Sequence, residues 1–206
     1  MSELSPQQRS LFDSGEPGFD RRLAGLCRTA LGKGAWLDHL PAWLQGHDAA
    51  LQTLWSTTRW RSERRRMYDR VVDVPRLFAT LPEDGPGHSI VAELADTLSA
   101  YYGRSLHRIS LAAYRDGRDS VAFHGDRLGA QRADAIVAIV SLGAPRRFLL
   151  RPAGGGSSRA FDLGWGDLLV MGGTCQLTWE HAVPKVAYAG LRISVQFRSG
   201  TEDSDD

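Results

Sequence analysis

From Leu106 onward the chain runs in short segments where apolar and polar positions alternate or apolar residues crowd together. HRISLAAY, DSVAFHGD, AIVAIVSLG, RRFLLRP, AFDLGWGDLLVMGG, CQLTWEHAVP and LRISVQFR follow at close intervals, bounded by Gly, Asp and Pro. That texture predicts an all-β sandwich or barrel. Cys175 falls in one of these runs and is expected half-buried in a strand. AGGGSSR at 153–159 fits a flexible hairpin tip. Its glycines do not form a phosphate cradle, because no G-K-[ST] follows and no helix starts there.

Upstream the period lengthens. AWLDHLPAWL reads as an extended segment broken by Pro41, and GHDAALQTLWSTT as a short helix. Leu51, Leu54 and Trp55 share one face of that helix, so Trp55 is expected in the core. A second helix is predicted over about 89–101, with Ile90, Leu94, Leu98 and Tyr101 as its apolar stripe and GPG as punctuation before it. Residues 1–34 mix signals: FDRRLAGLCRTAL has helical spacing, but SGEPG and GKG interrupt it. A loosely attached arm is expected there. No internal repeat is visible.

Against this strand pattern, a few polar positions carry chemistry. His124 and Asp126 stand two apart in VAFHGD, an offset that places both on one face of a strand. His181 follows in LTWEHAVPK, far enough on for several strands to intervene. Two imidazoles and one carboxylate on one face of a metal make the triad of non-haem Fe(II) oxygen chemistry. Arg192 and Arg198 lie beyond His181 at an even offset, so both guanidinium groups project from one face. An arginine pair suits an anionic cosubstrate, because its planar fork binds carboxylate bidentately and keeps its charge. An isolated H-x-D or a lone His is usually an ordinary surface or core feature. Their conjunction in this order points to a site.

Composition narrows the setting. The chain has 206 residues, 42% hydrophobic and 24% charged, as expected of one soluble globular domain with a substantial core. No apolar segment is long enough to span a bilayer, and the N-terminus lacks a signal pattern. Cys27 and Cys175 are far apart and outside metal-ligand spacing, which suggests reduced thiols in a cytoplasmic protein. The net charge of +1 hides a cluster of Arg59, Arg61, Arg64, Arg65, Arg66 and Arg70, and a TEDSDD ending expected to be disordered. The cluster suits either a polyanion footprint or a solvated face.

YRDGRDSVAFHGD, IVSLGAPRRFLL, GDLLVMGG, WEHAVPK and RISVQFR together resemble the catalytic core of AlkB-type Fe(II)/2-oxoglutarate dioxygenases over roughly 105–199. RRRMYDRVVDVPRL resembles that family's nucleic-acid-facing region less specifically. The resemblance implies a mainly β fold with flanking helices (α+β): a double-stranded β-helix (jelly-roll) core with an N-terminal nucleotide-recognition lid. One domain over 35–199 is expected, with the lid at about 57–80. It implies Fe(II) held by His124, Asp126 and His181, and 2-oxoglutarate held by Tyr114, Arg192, Ser194 and Arg198. Substrate contacts would come from Trp60, Tyr68, Arg76, Arg127 and Leu128, with Pro75 in the same lid.

Three positions depart from the family pattern. Ala112 and Ser194 stand where Asn is common, and losing the first amide removes a donor worth about 0.5–1.5 kcal/mol. Leu128 stands where well-known members carry an acid that reads a cationic methylated base. That departure predicts broad lesion acceptance decided by shape and stacking. The implied activity is oxidative dealkylation of N-alkylated bases, of 1-methyladenine, 3-methylcytosine or etheno type, in DNA or RNA, by a monomer. The alternatives are a 2-oxoglutarate-dependent hydroxylase acting on a protein or small molecule, and a non-catalytic metal- or nucleic-acid-binding jelly roll.

Overall fold

The structure, a computed structural model, describes residues 15–67, 70–81, 85, 87–126 and 134–199, with side chains for those outside 63–74. In chain order the elements are β1 (Gly18–Phe19), β2 (Cys27–Gly32), β3 (Ala35–Leu40), β4 (Leu44–Gln45), α1 (His47–Thr57), β5 (Arg61–Met67) and β6 (Arg70–Ala79). There follow α2 (His88–Tyr102), β7 (Arg108–Tyr114), β8 (Val121–His124), β9 (Val137–Gly143), β10 (Arg146–Pro152) and β11 (Arg159–Leu163). The chain ends through β12 (Asp167–Gly173), α3 (Cys175–Thr178), β13 (Trp179–Val183) and β14 (Arg192–Arg198). A large sheet takes the order β2-β3-β12-β9-β14-β7-β6-β5, and a smaller one β11-β10-β13-β8. Strands β1 and β4 form a separate ribbon.

Period-two alternation decides which side chains go where. On β14, Ile193, Val195 and Phe197 join Leu51 and Leu54 of α1 and Leu94 and Leu98 of α2 in one apolar cluster. Arg192, Ser194, Gln196 and Arg198 project the other way, between the sheets. Their cross-strand partners on β7 are Tyr114, Ala112, Ser110 and Arg108. A second cluster, with Tyr114, Ile139, Phe148, Leu150, Met171 and Val183, fills the space between the sheets. Strand β9 is buried on both faces along its whole length, which is why VAIVSLG is an unbroken apolar run with one serine. A Cβ at Gly172 would lie 2.0 Å from the Trp36 ring, so glycine lets that indole lie across β12.

Both predicted helices are present, α1 and α2, and the hairpin tip joins β10 to β11. The loosely attached arm is not what forms from residue 15 on. Strand β2 pairs with β3 at the edge of the large sheet, Leu23 is buried, and the Trp43 indole donates to the Asp20 carbonyl at 2.8 Å. Pairing overrides the helical spacing because Arg28 forks onto buried Asp38 and lies over the Trp36 ring at 3.8 Å. Cys175 is also corrected: it is buried in the single turn α3, where Leu177 and Thr178 donate back to the Thr174 carbonyl. Residues 1–14 and the acidic ending lie outside the described residues. Among the described residues no helix is long and apolar enough to cross a membrane.

Phe197 is fully buried and shares its strand with the inward-facing arginines. Phe197→Ala should therefore cost about 3–5 kcal/mol of stability. In urea denaturation the midpoint should fall with little change in slope.

Candidate active site

Strands β8 and β13 pair so that His124 lies directly opposite His181, with ring centroids 4.4 Å apart. Phe148 of β10 stacks on His181 at 5.2 Å and an 18° interplanar angle, fixing that ring from behind. His124 Nδ1 lies 2.9 Å from the Ala122 carbonyl. A carbonyl can only accept, so the proton sits on Nδ1 and the Nε2 lone pair is left free. Burial pushes both imidazoles towards the neutral form, His181 to about 3. A neutral imidazole is the form that donates to a metal.

Asp126 lies just past the end of β8, so the pair does not share a strand face as the spacing suggested. The carboxylate still reaches the histidines, with Oδ2 3.9 Å from His181 Nε2. Burial alone would raise its pKa; the charge and hydrogen bonds of the Arg198 guanidinium overturn that and hold it below the usual carboxylate range. Arg198 donates to Oδ1 from Nε at 3.0 Å and from Nη2 at 2.8 Å, which leaves Oδ2 for another partner. The Asp126 amide donates to Gln176 Oε1 at 3.0 Å. Among the described residues no three acidic, His or Cys side chains already stand in full ligand geometry. The fit to Fe(II) is chemical: two neutral imidazole nitrogens and one free carboxylate oxygen meet in one place.

The other end of the sheet interior holds a buried cation, Arg192. Arg192 is 1% exposed, donates from Nη2 to Ser141 Oγ at 2.7 Å, and has no partner for Nε. It lies over the Tyr114 ring at 5.2 Å, and no carboxylate pairs with it among the described residues. Burial lowers its pKa to about 10, so it stays charged at neutral pH. A buried charge left unpaired costs several kcal/mol as an order of magnitude, and an incoming carboxylate would offset that cost. Arg146, also buried, gives Nη1 and Nη2 to the carbonyls of Asp116, Asp119 and Pro184, with only its Nε left without a partner. A small cavity beside Arg192 is bounded by Tyr114, Ser194, Gln196, His181 and Arg76. A larger one of about 440 Å³ opens over His124, Asp126 and His181, walled by Phe78, Arg108 and Ser110.

The expected residues are therefore distributed as follows. His124, Asp126 and His181 converge, and Tyr114, Arg192 and Ser194 line the cavity beside them. Arg198 is committed to Asp126, to Ser110 at 2.6 Å and to Gln196 at 2.5 Å, so it steadies the acid. Arg76 is 6% exposed and buried between the two cavities, not displayed on a lid. Trp60 lies away from both: its ring packs on Trp55 at 5.6 Å, and its indole donates to the Trp55 carbonyl. Short-range helix contact outweighs display there. Tyr68, Arg127 and Leu128 lie outside the described residues. Gln176, Phe148, Ser141, Ser110 and Gln196 were missed. Ser141 could have been found, since it is the one polar residue in the apolar run of β9.

Over residues 21–198 the chain matches the 2OG-Fe(II) oxygenase superfamily, and it belongs to that family, whose members take Fe(II) as cofactor and 2-oxoglutarate as cosubstrate. Within it the chain is similar to AlkB-type members. It is 28% identical over 152 residues to alpha-ketoglutarate-dependent dioxygenase alkB homolog 3 of Bos taurus, and 27% identical over 152 residues to that of Homo sapiens. Each match takes in 69% of this chain and 50% of the relative, so the chain spans about half the length of these proteins. The fold, a double-stranded β-helix, is that of OsALKBH1 (TM-score 0.54, 16% identity, 84% of this chain and 100% of the other). It is equally that of a prolyl hydroxylase from Trichoplax adhaerens (TM-score 0.56, 12% identity, 88% of each chain).

Gln176 holds the backbone of Asp126 from a buried position. Gln176→Leu should weaken Mn(II) affinity, measured calorimetrically, by about 10–100-fold, the range typical of partners that orient metal ligands. The melting temperature should move little by comparison.

Proposed function

We propose that this protein oxidatively dealkylates N-alkylated nucleobases in DNA or RNA, using dioxygen and 2-oxoglutarate. The observation that carries the reading is the convergence of His124, Asp126 and His181 beside a buried arginine with no acidic partner among the described residues. The likeness to alkB homolog 3 supports the nucleic-acid substrate. In this reading His124 Nε2, His181 Nε2 and Asp126 Oδ2 hold Fe(II), and Arg192 holds the distal carboxylate of 2-oxoglutarate. When bound, Fe(II) with 2-oxoglutarate and dioxygen supplies hydroxylation of the N-alkyl carbon. The hydroxymethyl product then loses formaldehyde and leaves the repaired base.

The chain's own residues set the conditions. Arg198 occupies Oδ1 of Asp126 and so leaves a single oxygen for the metal. The neutral histidines keep their lone pairs free of protons. The flanking cavity, at about 440 Å³, falls within the usual range of ligand pockets and has room for a base turned out of its stack. Strands β5 and β6 form a hairpin at the outer edge of the large sheet, and the arginine cluster belongs to it. We assign that hairpin, with Tyr68, Arg127 and Leu128, to the nucleic acid, and extend the lid over about 57–80. A protein or small-molecule substrate is the second reading. It is favoured by a cavity wall that carries Arg76, Arg108 and Arg198 with Asp126 as its one acid among the described residues.

Formaldehyde release from a panel of alkylated oligonucleotides, with and without 2-oxoglutarate, tests the reading directly. His124→Ala, Asp126→Ala and His181→Ala should each abolish release. Arg192→Ala should raise the 2-oxoglutarate requirement steeply while iron affinity stays nearly unchanged. Persistent 2-oxoglutarate turnover with no release from any oligonucleotide would move the assignment to the second reading. Neutralising Arg64, Arg65 and Arg66 together should weaken oligonucleotide binding and flatten its salt dependence, because each lost phosphate contact lowers that slope. An unchanged slope would make the cluster an ordinary solvated surface.

A further inference from the structure

Arg76, like Arg192, is a buried guanidinium with no acidic partner among the described residues. Leu77 pairs with Ala113 and Phe78 with Ala112, so the register carries Arg76 to the level of Tyr114 on the inward face. It is 6% exposed, lies over the Phe78 ring at 4.3 Å, and has no partner for Nε. Its Nη1 donates to the Tyr114 hydroxyl at 2.9 Å, and the residue borders both cavities. No carboxylate pairs with it among the described residues.

The direction of that hydrogen bond has a consequence for Tyr114. An arginine has no lone pair to offer, so the phenol oxygen can only accept from Arg76. Arg192, the other cation against this ring, cannot accept either. The phenol's own proton must therefore point away from both, towards the cavity beside Arg192. An anion seated there meets one aimed hydroxyl donor and two positive charges.

We propose that Arg76 is a positioning residue for the cosubstrate rather than a nucleic-acid contact. It fixes the Tyr114 hydroxyl as a donor to a carboxylate of 2-oxoglutarate and adds a second cation at that end of the site. The proposal rests on reading Arg192 and Tyr114 as the cosubstrate seat. Arg76 and Tyr114 then act as one unit, and removing either forfeits the same hydrogen bond to a charged acceptor.

The test is a double-mutant cycle read by binding, not turnover. 2-Oxoglutarate affinity is measured calorimetrically with Mn(II) in place of Fe(II), for wild type, Arg76→Met, Tyr114→Phe and the double variant. Each single change should weaken binding about ten- to hundredfold, the scale of a hydrogen bond to a charged group. The double variant should be no more than about twofold weaker than the worse single one, which is the signature of coupled residues. Binding of an unmodified single-stranded oligonucleotide, followed by anisotropy, should stay within about twofold of wild type in Arg76→Met. Additive losses would overturn the proposal, as would weakened oligonucleotide binding with unchanged 2-oxoglutarate affinity. Arg76→Lys, which keeps the charge and should recover part of the affinity, runs the same cycle if Arg76→Met does not fold. Arg192→Ala serves as the separate control: if it leaves 2-oxoglutarate binding intact, the seat itself is misassigned, whatever Arg76 does.

Discussion

Strand β14 is the constraint on which the rest of the molecule depends. Its odd-numbered side chains, Ile193, Val195 and Phe197, lie in the cluster that holds both long helices to the sheet. Its even-numbered ones, Arg192, Ser194, Gln196 and Arg198, face between the sheets and supply the polar floor of the site. Because strand period is two, core and chemistry are indexed by the same register. A slip of one residue would put two arginines into the helix interface and three large apolar groups into the cavity. Pairing with β7 on one side and β9 on the other, over all seven residues, guards against that slip.

Along this floor the charge is distributed unevenly. Beside the two histidines Oδ1 of Asp126 is engaged by Arg198, and a hydrogen-bond chain runs from Arg198 to Ser110 and Gln196, then on to Ser194. At the other end Arg192 and Arg76 have only hydroxyl partners among the described residues. On the reading proposed above, charge is balanced where the metal would sit beside a carboxylate and unbalanced where the cosubstrate anion would arrive. The polar residues between the ends give the buried groups partners without screening that difference away.

Much of this was legible because it depends on parity. The R-I-S-V-Q-F-R alternation put Arg192 and Arg198 on one face before any partner was known, and the apolar runs of β9 and β12 marked strands. Other features depend on which strand neighbours which, and that is not a local property. Arg76 turns inward only because β6 registers against β7, so its place in the hairpin suggested an exposed contact. Residues 27–32 carry helical spacing but take the edge of the sheet once Arg28 finds Asp38. The turn at Cys175 is too short to show a period at all. Trp60 looked available for stacking until the neighbouring helix supplied Trp55.

Arg192, buried and without an acidic partner among the described residues, ties the folded state to its surroundings. A ligand that binds only the native chain stabilises it by mass action, by about 2.7 kcal/mol when present at a hundred times its dissociation constant. For a domain whose whole margin is typically about 5–15 kcal/mol, that is a substantial share. If Arg192 seats the cosubstrate as proposed, that anion is also a fold stabiliser, and the resistance of this chain to unfolding and proteolysis would rise and fall with the supply of small dicarboxylates around it.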